Sequence, residues 1–590
     1  MAKKNVPAVS SLLLRWSDHI PASDVQDPLG LGLRGSARLA SRLLYCITSI
    51  TPRARYFSFI PWCIFDFQSR EKGKAHALGL RDGMIIREQA LTLGCIAHHD
   101  GEPCAGGGLV GSRDAKKWFL NGVKEANFNK MQKFSKNPAL GAYLNSLVNL
   151  GLFVTEVNRT DEDEEGVEPE FTFDDIELSS VGLNLAKLYD QKVGRLNMIK
   201  KIAGKERCCS IDDLAEFGKF GGLCELPSKG SADRELLREI FFGLTESNSE
   251  SSHRVRRESL LLILDLCRQL SVDDWILTEP GFASAVYFNE VGNEESSIVI
   301  SISQPLLDIA TRWRMFYFHH YMSVSLEAMF SWLISHLGNC GVNGESIDEI
   351  ILGLEEPAVS KDISEISGIH FEGQFGSITP SGLLLHAGIE KGSLDSTVSN
   401  SVDKIVKNLT PFAENTLEGI IRTNDYLYSS TGLALPMILL SVTLARYSQW
   451  ESTDYGKWFA NIAKDPYLDL IPPVISKGLE RQFDDWWNTS FSQLTKFVLN
   501  RYVIQQHQSM SYEKTATGDR CLIQIDGSKI VSLGGYDKIG MGNPRLNSAI
   551  QILSDLGLIE DNDNKVKHLT PEGEAFLKYE IGRQVSNEVS

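Results

Sequence analysis

The chain is poor in cysteine, with ten in 590 residues, and those ten show no framework spacing. That excludes a disulfide-stapled scaffold and points to reduced thiols. The adjacent Cys208 and Cys209 are badly placed to bridge each other. Long apolar runs are missing too. The longest, Gly432–Ala445, is interrupted by Pro436 and falls short of the roughly 20 residues of a membrane span, so it reads as a buried helix. Near the start only Ser11–Leu14 precedes Arg15, and no apolar core of signal-peptide length follows. The expected location is the cytoplasm, with no membrane partner. Positive charge is in deficit: 59 Lys and Arg stand against 76 Asp and Glu, a net charge of -17. A uniformly basic nucleic-acid coat is thereby excluded, although a local basic surface is not. Coiled-coil heptads, long-period repeats, a low-complexity tail and paired-carboxylate metal motifs are also lacking.

What is present is a globular composition, 42% hydrophobic and 23% charged. The length predicts three to five domains. Charge is unevenly spread. Residues 1–136 hold 20 Lys and Arg against 11 Asp and Glu, whereas the other 454 hold 39 against 65. This polarity suggests a basic N-terminal region that meets phosphate or an acidic partner, carried on an acidic body.

Gly32–Ile50 has the spacing of a helix, with Ala37, Ala40, Leu43, Leu44 and Ile47 on the apolar stripe. Arg34, Arg38 and Arg42 recur at i, i+4 and i+8 and share one face. Arg53 and Arg55 follow, beside Tyr56, Phe57, Phe59 and Trp62. Arginine among aromatics suits phosphate contact with base stacking, while the aromatics of Tyr56–Phe67 read chiefly as core. Lys116, Lys117, Lys130 and Lys133 lie in a second basic stretch, Arg113–Lys136. These nine side chains are the candidate nucleic-acid contacts.

Cys95, His98, His99 and Cys104 place soft and borderline ligands within ten residues. They are the candidate metal ligands, but no second ligand pair of ordinary zinc spacing follows, and no cofactor is expected. Gly106-Gly-Gly-Leu-Val-Gly-Ser112 mimics a phosphate-binding loop without the Lys before its Ser, which excludes a nucleotide-hydrolysing loop. Trp313–Trp332 reads as an aromatic packed helix. His320 and Glu327 lie two turns apart on its face, the residues an enzyme reading would use. Arg254, Arg256 and Arg257 read as a solvated helix start.

Asn137–Phe153 is a helix ending in Leu-Gly-Leu-Phe, followed by a strand and by Glu177–Ala186. Asn543–Ile559 and Leu569–Leu577 repeat the order. Both resemble a winged helix-turn-helix. Their would-be recognition helices offer Asn145 and Asn149, or Arg545, Asn547 and Gln551. The wings carry acids, Asp161–Glu165 in the first and Glu560, Asp561 and Asp563 in the second. Like charge beside a phosphate backbone repels, so both modules are expected to meet protein rather than read an operator. The fold class expected is mainly α and multi-domain, an α-helical body with two winged-helix (α+β) modules, one near residues 115–190 and one C-terminal. The predicted divisions are 1–112, basic and helical; 113–195, winged-helix-like; 196–505, helical; and 506–590, a hairpin at Asp526-Gly527 plus the second module.

Arg53–Trp62, Gly107–Ser112, Trp313–Phe330 and Arg545–Ile559 together resemble landmarks of a prokaryotic family of winged-helix-containing proteins from antiviral defence islands. The resemblance implies a place beside a nuclease, a helicase or a chromosome-structuring SMC-type ATPase of the same operon. It carries over no catalytic residue. The expected function is a non-catalytic adaptor or sensor subunit that contacts DNA or another nucleic acid. A kleisin-like accessory subunit of an SMC-type ATPase and a nuclease or other hydrolase are the alternatives.

Overall fold

A computed structural model describes residues 27–589 except 75–77, 105, 135–137, 156–175, 229–230, 245–250, 273–274, 293–295, 369, 371, 387–412, 424, 452–470, 515–519, 541 and 563–565. The acidic stretch Asp161–Glu170, Lys136 and Asp563 therefore lie outside the described residues. The chain is mainly helical, with four two-stranded sheets and one three-stranded sheet among the described residues.

The predicted helix at Gly32–Ile50 is shorter than its apolar stripe suggests. A π-helical turn, Gly32–Ser36, runs into α1 (Ala37–Leu43), which ends where Leu44 leaves helical geometry, and Cys46 then turns the chain at φ 66°. After a short turn α2 (Tyr56–Arg70) begins. Its residues Tyr56 to Ile64 are all buried, as their aromatic and aliphatic character demands. Then come α3 (Leu80–His98), α4 (Ser112–Leu120) and β1 (Glu125–Asn127). The first helix–hairpin–helix unit follows as α5 (Leu140–Asn149), β2 (Phe153–Thr155), β3 (Ile176–Leu178) and α6 (Ser180–Val193). Next are α7 (Asn197–Ile202), β4 (Cys208–Ser210), which pairs with β1, α8 (Ile211–Gly221) and a 3-10 turn at Leu223–Glu225.

The crossing of α3 and α8 depends on glycine at both positions. A Cβ on Gly94 would sit 2.7 Å from the Leu214 carbonyl, and one on Gly218 would overlap the Gly94 carbonyl. The two backbones touch because neither residue has a side chain. This contact fixes where α8 ends, and hence where the Leu223–Glu225 turn lies against the C-terminal end of α3.

The centre of the molecule is α9 (Ala232–Phe241), α10 (Ser251–Ser271), α11 (Glu279–Phe288), a hairpin of β5 (Glu290–Gly292) and β6 (Ser297–Val299), and the 34-residue α12 (Leu307–Cys340). The aromatic stretch predicted as a packed helix lies inside α12 and is buried on every side. Buried indole N–H groups find acceptors: Trp313 donates to Ser259 Oγ at 3.1 Å and Trp332 to the Ser429 carbonyl at 2.6 Å. Smaller helices follow, α13 (Ile347–Leu352), α14 (Pro357–Ser367), α15 (Pro380–His386) and α16 (Glu414–Arg422). The apolar run at Gly432–Ala445 belongs to α17 (Thr431–Glu451), which packs along α12. It holds the one segment among the described residues long and apolar enough to cross a membrane, and 83% of that segment is buried in the protein.

Beyond α18 (Ile471–Gln482), the helix predicted at Leu494–Gln506 is α19 (Phe491–Val498), continued through a π-helical turn into α20 (Gln505–Glu513). The hairpin predicted at Asp526-Gly527 is β8 (Ile523–Asp526) with β9 (Lys529–Ser532), extended by β7 (Glu345–Ser346). The second helix–hairpin–helix unit ends the described chain as α21 (Leu546–Asp555), β10 (Ile559–Asp561), β11 (Lys567–Leu569) and α22 (Pro571–Val589).

The two units repeat each other bond for bond. In the first, Gly151 turns the chain at φ 71°, Ser179 Oγ donates to the Gly151 carbonyl at 2.6 Å and Gly182 N–H donates to Ser179 Oγ at 3.0 Å. In the second, Gly557 turns at φ 70°, Thr570 Oγ1 donates to the Gly557 carbonyl at 2.8 Å and Gly573 N–H donates to Thr570 Oγ1 at 3.0 Å. The shared Leu-Gly-Leu and Ser/Thr-x-x-Gly patterns are thus one device: a hydroxyl N-cap that also holds the turn before the hairpin. The buried apolar residues run as one core through all four predicted divisions.

Candidate metal centre and basic surface

Arg53 and Arg55 correct the sequence expectation. Both are fully buried. Arg53 Nε donates to Asp555 Oδ2 at 3.0 Å and its Nη1 to the Gly107 carbonyl at 2.7 Å. The same Asp555 oxygen accepts the Ala54 N–H at 2.9 Å, and Gln551 donates to the other oxygen at 2.9 Å. Arg55 donates to the carbonyls of Gly222 at 2.6 Å and Phe220 at 3.1 Å, lies 3.5 Å from Asp233 and stands over the Tyr189 ring. Burial works against the Asp233 charge, but Arg55, Ser231 and Ser58 overcome it and hold that carboxyl below its usual range. The apolar Tyr56, Phe57 and Phe59 draw the segment inward, and internal acceptors take most of the guanidinium hydrogens, although Arg55 Nε has no hydrogen-bond partner among the described residues. Neither arginine reaches a phosphate. Arg256 is a third case: it is buried and donates to the Phe241 and Ile240 carbonyls at the end of α9, so it caps a helix rather than meeting solvent.

The Arg53 elbow also receives both units. Tyr143 of α5 accepts the Arg53 N–H at 3.4 Å, and Asp555 ends α21. Consequently α21 is buried along most of its length. Arg545 at its start donates inward to Ser41 Oγ at 2.7 Å and to the Ile47 carbonyl at 3.0 Å. By contrast, α5 keeps Asn145 and Asn149 exposed.

The remaining cations divide. Arg38 and Arg42 are exposed on α1, and the side chain of Arg34 lies outside the described residues. Lys117 and Lys130 are exposed, Lys117 having Asp114 at 3.9 Å. Lys116 pairs with Glu102 at 2.7 Å and Lys133 with Asp82 at 2.6 Å. Arg38 and Arg42 thus lie on α1, which packs on α10 and α12, Lys116 and Lys117 on α4, which packs on α3, and Lys130 and Lys133 in the segment after β1.

His320 and Glu327 do not pair. His320 Nε2 lies 2.9 Å from Glu418 Oε1, and Glu418 also accepts from Arg422. Glu327 is buried beneath Gly540. Its Oε2 has no hydrogen-bond partner among the described residues, and burial raises its pKa to about 7. The cavity between Trp332, Tyr426 and Ile539 has about 20 Å³, room for one water. A larger depression of about 500 Å³ is open and is lined by α14 and the residues just after it, among them Ser360, Glu365 and His370.

The candidate ligands converge on a residue the sequence did not single out. Cys95 and His98 occupy the last turn of α3, His99 caps it, and Cys104 follows a turn at Asp100-Gly101. The Leu223–Glu225 turn brings Cys224 among them. His99 Nε2 lies 3.1 Å from Cys224 Sγ, and donor atoms of His98, His99 and Cys224 are all within 4.8 Å of one another. The neighbouring Cys224 and Cys95 hold the Cys104 thiol well below its ordinary range, against the effect of burial. Glu225 lies 3.6 Å from His98 Nε2. Cys224 follows Cys104 by 120 residues, so spacing gave no signal; only the glycine-mediated crossing of α3 and α8 brings it in. A second cluster of His336, Cys340 and Glu345 closes on itself, because both carboxylate oxygens of Glu345 already lie beside the other two side chains. Comparison of the chain with protein-family models, curated proteins and solved structures gives no match.

Proposed function

We propose that the two repeated units are winged-helix modules and that the chain is a non-catalytic adaptor or sensor subunit of a prokaryotic multi-protein defence complex, in contact with nucleic acid. One observation carries the reading. The helix that a DNA reader would lay in the major groove is, in the C-terminal unit, spent on the chain's own Arg53 elbow. The outer face of α5 presents asparagine and small residues without a cation. Modules of this kind hold protein together, and nucleic acid is met through exposed cations elsewhere.

The contact falls to Arg38 and Arg42 on α1, supported by Lys117 and Lys130. Phosphate contact of this sort gives salt-sensitive binding with little base preference. For Arg38→Glu combined with Arg42→Glu, binding to labelled duplex and single strand is expected to weaken. The slope of log affinity against log salt should fall by about two. Circular dichroism of the variant controls for folding. Unchanged affinity in a folded variant would reject the assignment of this surface, and no binding by the parent chain at low salt would leave a purely protein scaffold.

A further inference from the structure

We propose that His98, His99 and Cys224 form a zinc site that fastens the C-terminal end of α3 to the Leu223–Glu225 turn. One thiol and two imidazoles are a donor set for a borderline-soft, tetrahedral ion whose fourth position stays open, and unsuited to magnesium or calcium. Around zinc, with bonds of about 2.0–2.3 Å, ligand atoms stand about 3.5 Å apart. The 3.1 Å separation of His99 Nε2 from Cys224 Sγ and the 4.8 Å limit on the three-residue group fit that cage with small side-chain rotations.

Each further feature has a place in this arrangement. His99 faces the ion through Nε2. His98 binds through Nδ1, which leaves its Nε2 toward Glu225 at 3.6 Å, the outer carboxylate that commonly orients a ligating imidazole. His98, His99 and Cys224 are partly exposed, which leaves the ion a way in from solvent.

Binding is a loss of the Cys224 thiol proton to solvent in exchange for one metal–sulfur bond, with no redox step. The full chain, purified with neither added metal nor chelator, is expected to contain about one zinc per chain by mass spectrometry of the elements. Replacement by cobalt(II) should give the visible bands of a tetrahedral ion and thiolate-to-cobalt charge transfer. Cys224→Ser should lose both metal and charge transfer, while Cys340→Ser, in the other cluster, keeps them. Glu225→Gln should weaken zinc about tenfold or more without removing it. If Cys224→Ser fails to fold, the parent chain still decides: chelator should expose Cys224 to a thiol reagent, and zinc should protect it again. Metal-free protein that takes up no cobalt, a Cys224 thiol equally reactive with and without zinc, or a Cys104–Cys224 disulfide in fresh protein would each overturn the proposal.

Discussion

Arg53→Ala is expected to destabilise the protein by about 3–5 kcal/mol in a denaturant titration, because it strands the buried Asp555 carboxylate. The loss extends beyond the pair. Ala54 N–H, Gln551 and the Gly107 carbonyl converge on the same two side chains, so the C-terminal unit should loosen first and become sensitive to limited proteolysis. Asp555→Ala should cost a similar amount for the mirror reason, an unpaired guanidinium. A double-mutant cycle distinguishes this from simple loss of packing: the double variant should be much less destabilised than the sum of the singles. Additive losses would mean that the two charges do not act as a unit.

Glu327→Gln is expected to stabilise the protein at pH 8 and to have little effect at pH 5. The Glu327 carboxyl is raised from its usual 4.5 to about 7, by burial first and by Asp27 second, and Gly540 and Arg422 only partly oppose the shift. The folded chain therefore holds this proton more tightly than the unfolded chain. Its contribution is intact below about pH 4.5 and is lost as pH rises through about 7, amounting to about 3 kcal/mol. Glu88, also raised to about 7 by burial, acts in the same direction. His319, lowered to about 3 by burial, and Glu418, lowered to about 2 by His320 and Arg422 despite its burial, act oppositely, losing stability as pH falls. These are common to parent and variant, so the difference in melting temperature between the two isolates Glu327. An equal difference at pH 5 and pH 8 would remove the carboxyl from the account.

Local pattern made much of the fold legible. The Leu-Gly-Leu turns and the Asp526-Gly527 hairpin are set by neighbours a few residues away, and each lies where its residues predict. The aromatic stretch within α12 and the apolar α17 were legible because a helix hydrophobic all round has only one place to go. The site was less so. Arginine reads as surface in any short window, yet Arg53, Arg55 and Arg256 are interior because their acceptors come from remote chain. Cys95, His98, His99 and Cys104 were visible as a local cluster, whereas Cys224 depended on two glycines that let helices touch. Glu327 was noticed for a partnership with His320 that it does not have; its actual neighbour is the backbone of the glycine-rich connection into the C-terminal unit.

The Arg53–Asp555 bond spans 502 residues of sequence. A ribosome adding 5–20 residues per second takes roughly 25–100 s to cover that distance. Throughout that interval the emerging N-terminal half carries a cation whose burial is unfavourable and whose counter-ion has yet to be made. The elbow, the loop at Gly107 and the face awaiting α21 must stay open or be shielded until the last stretch leaves the tunnel. Synthesis of Asp555, rather than completion of any one helix, is then the event that closes this part of the interior, and a chain stopped before it would leave the Arg53 guanidinium without its counter-ion.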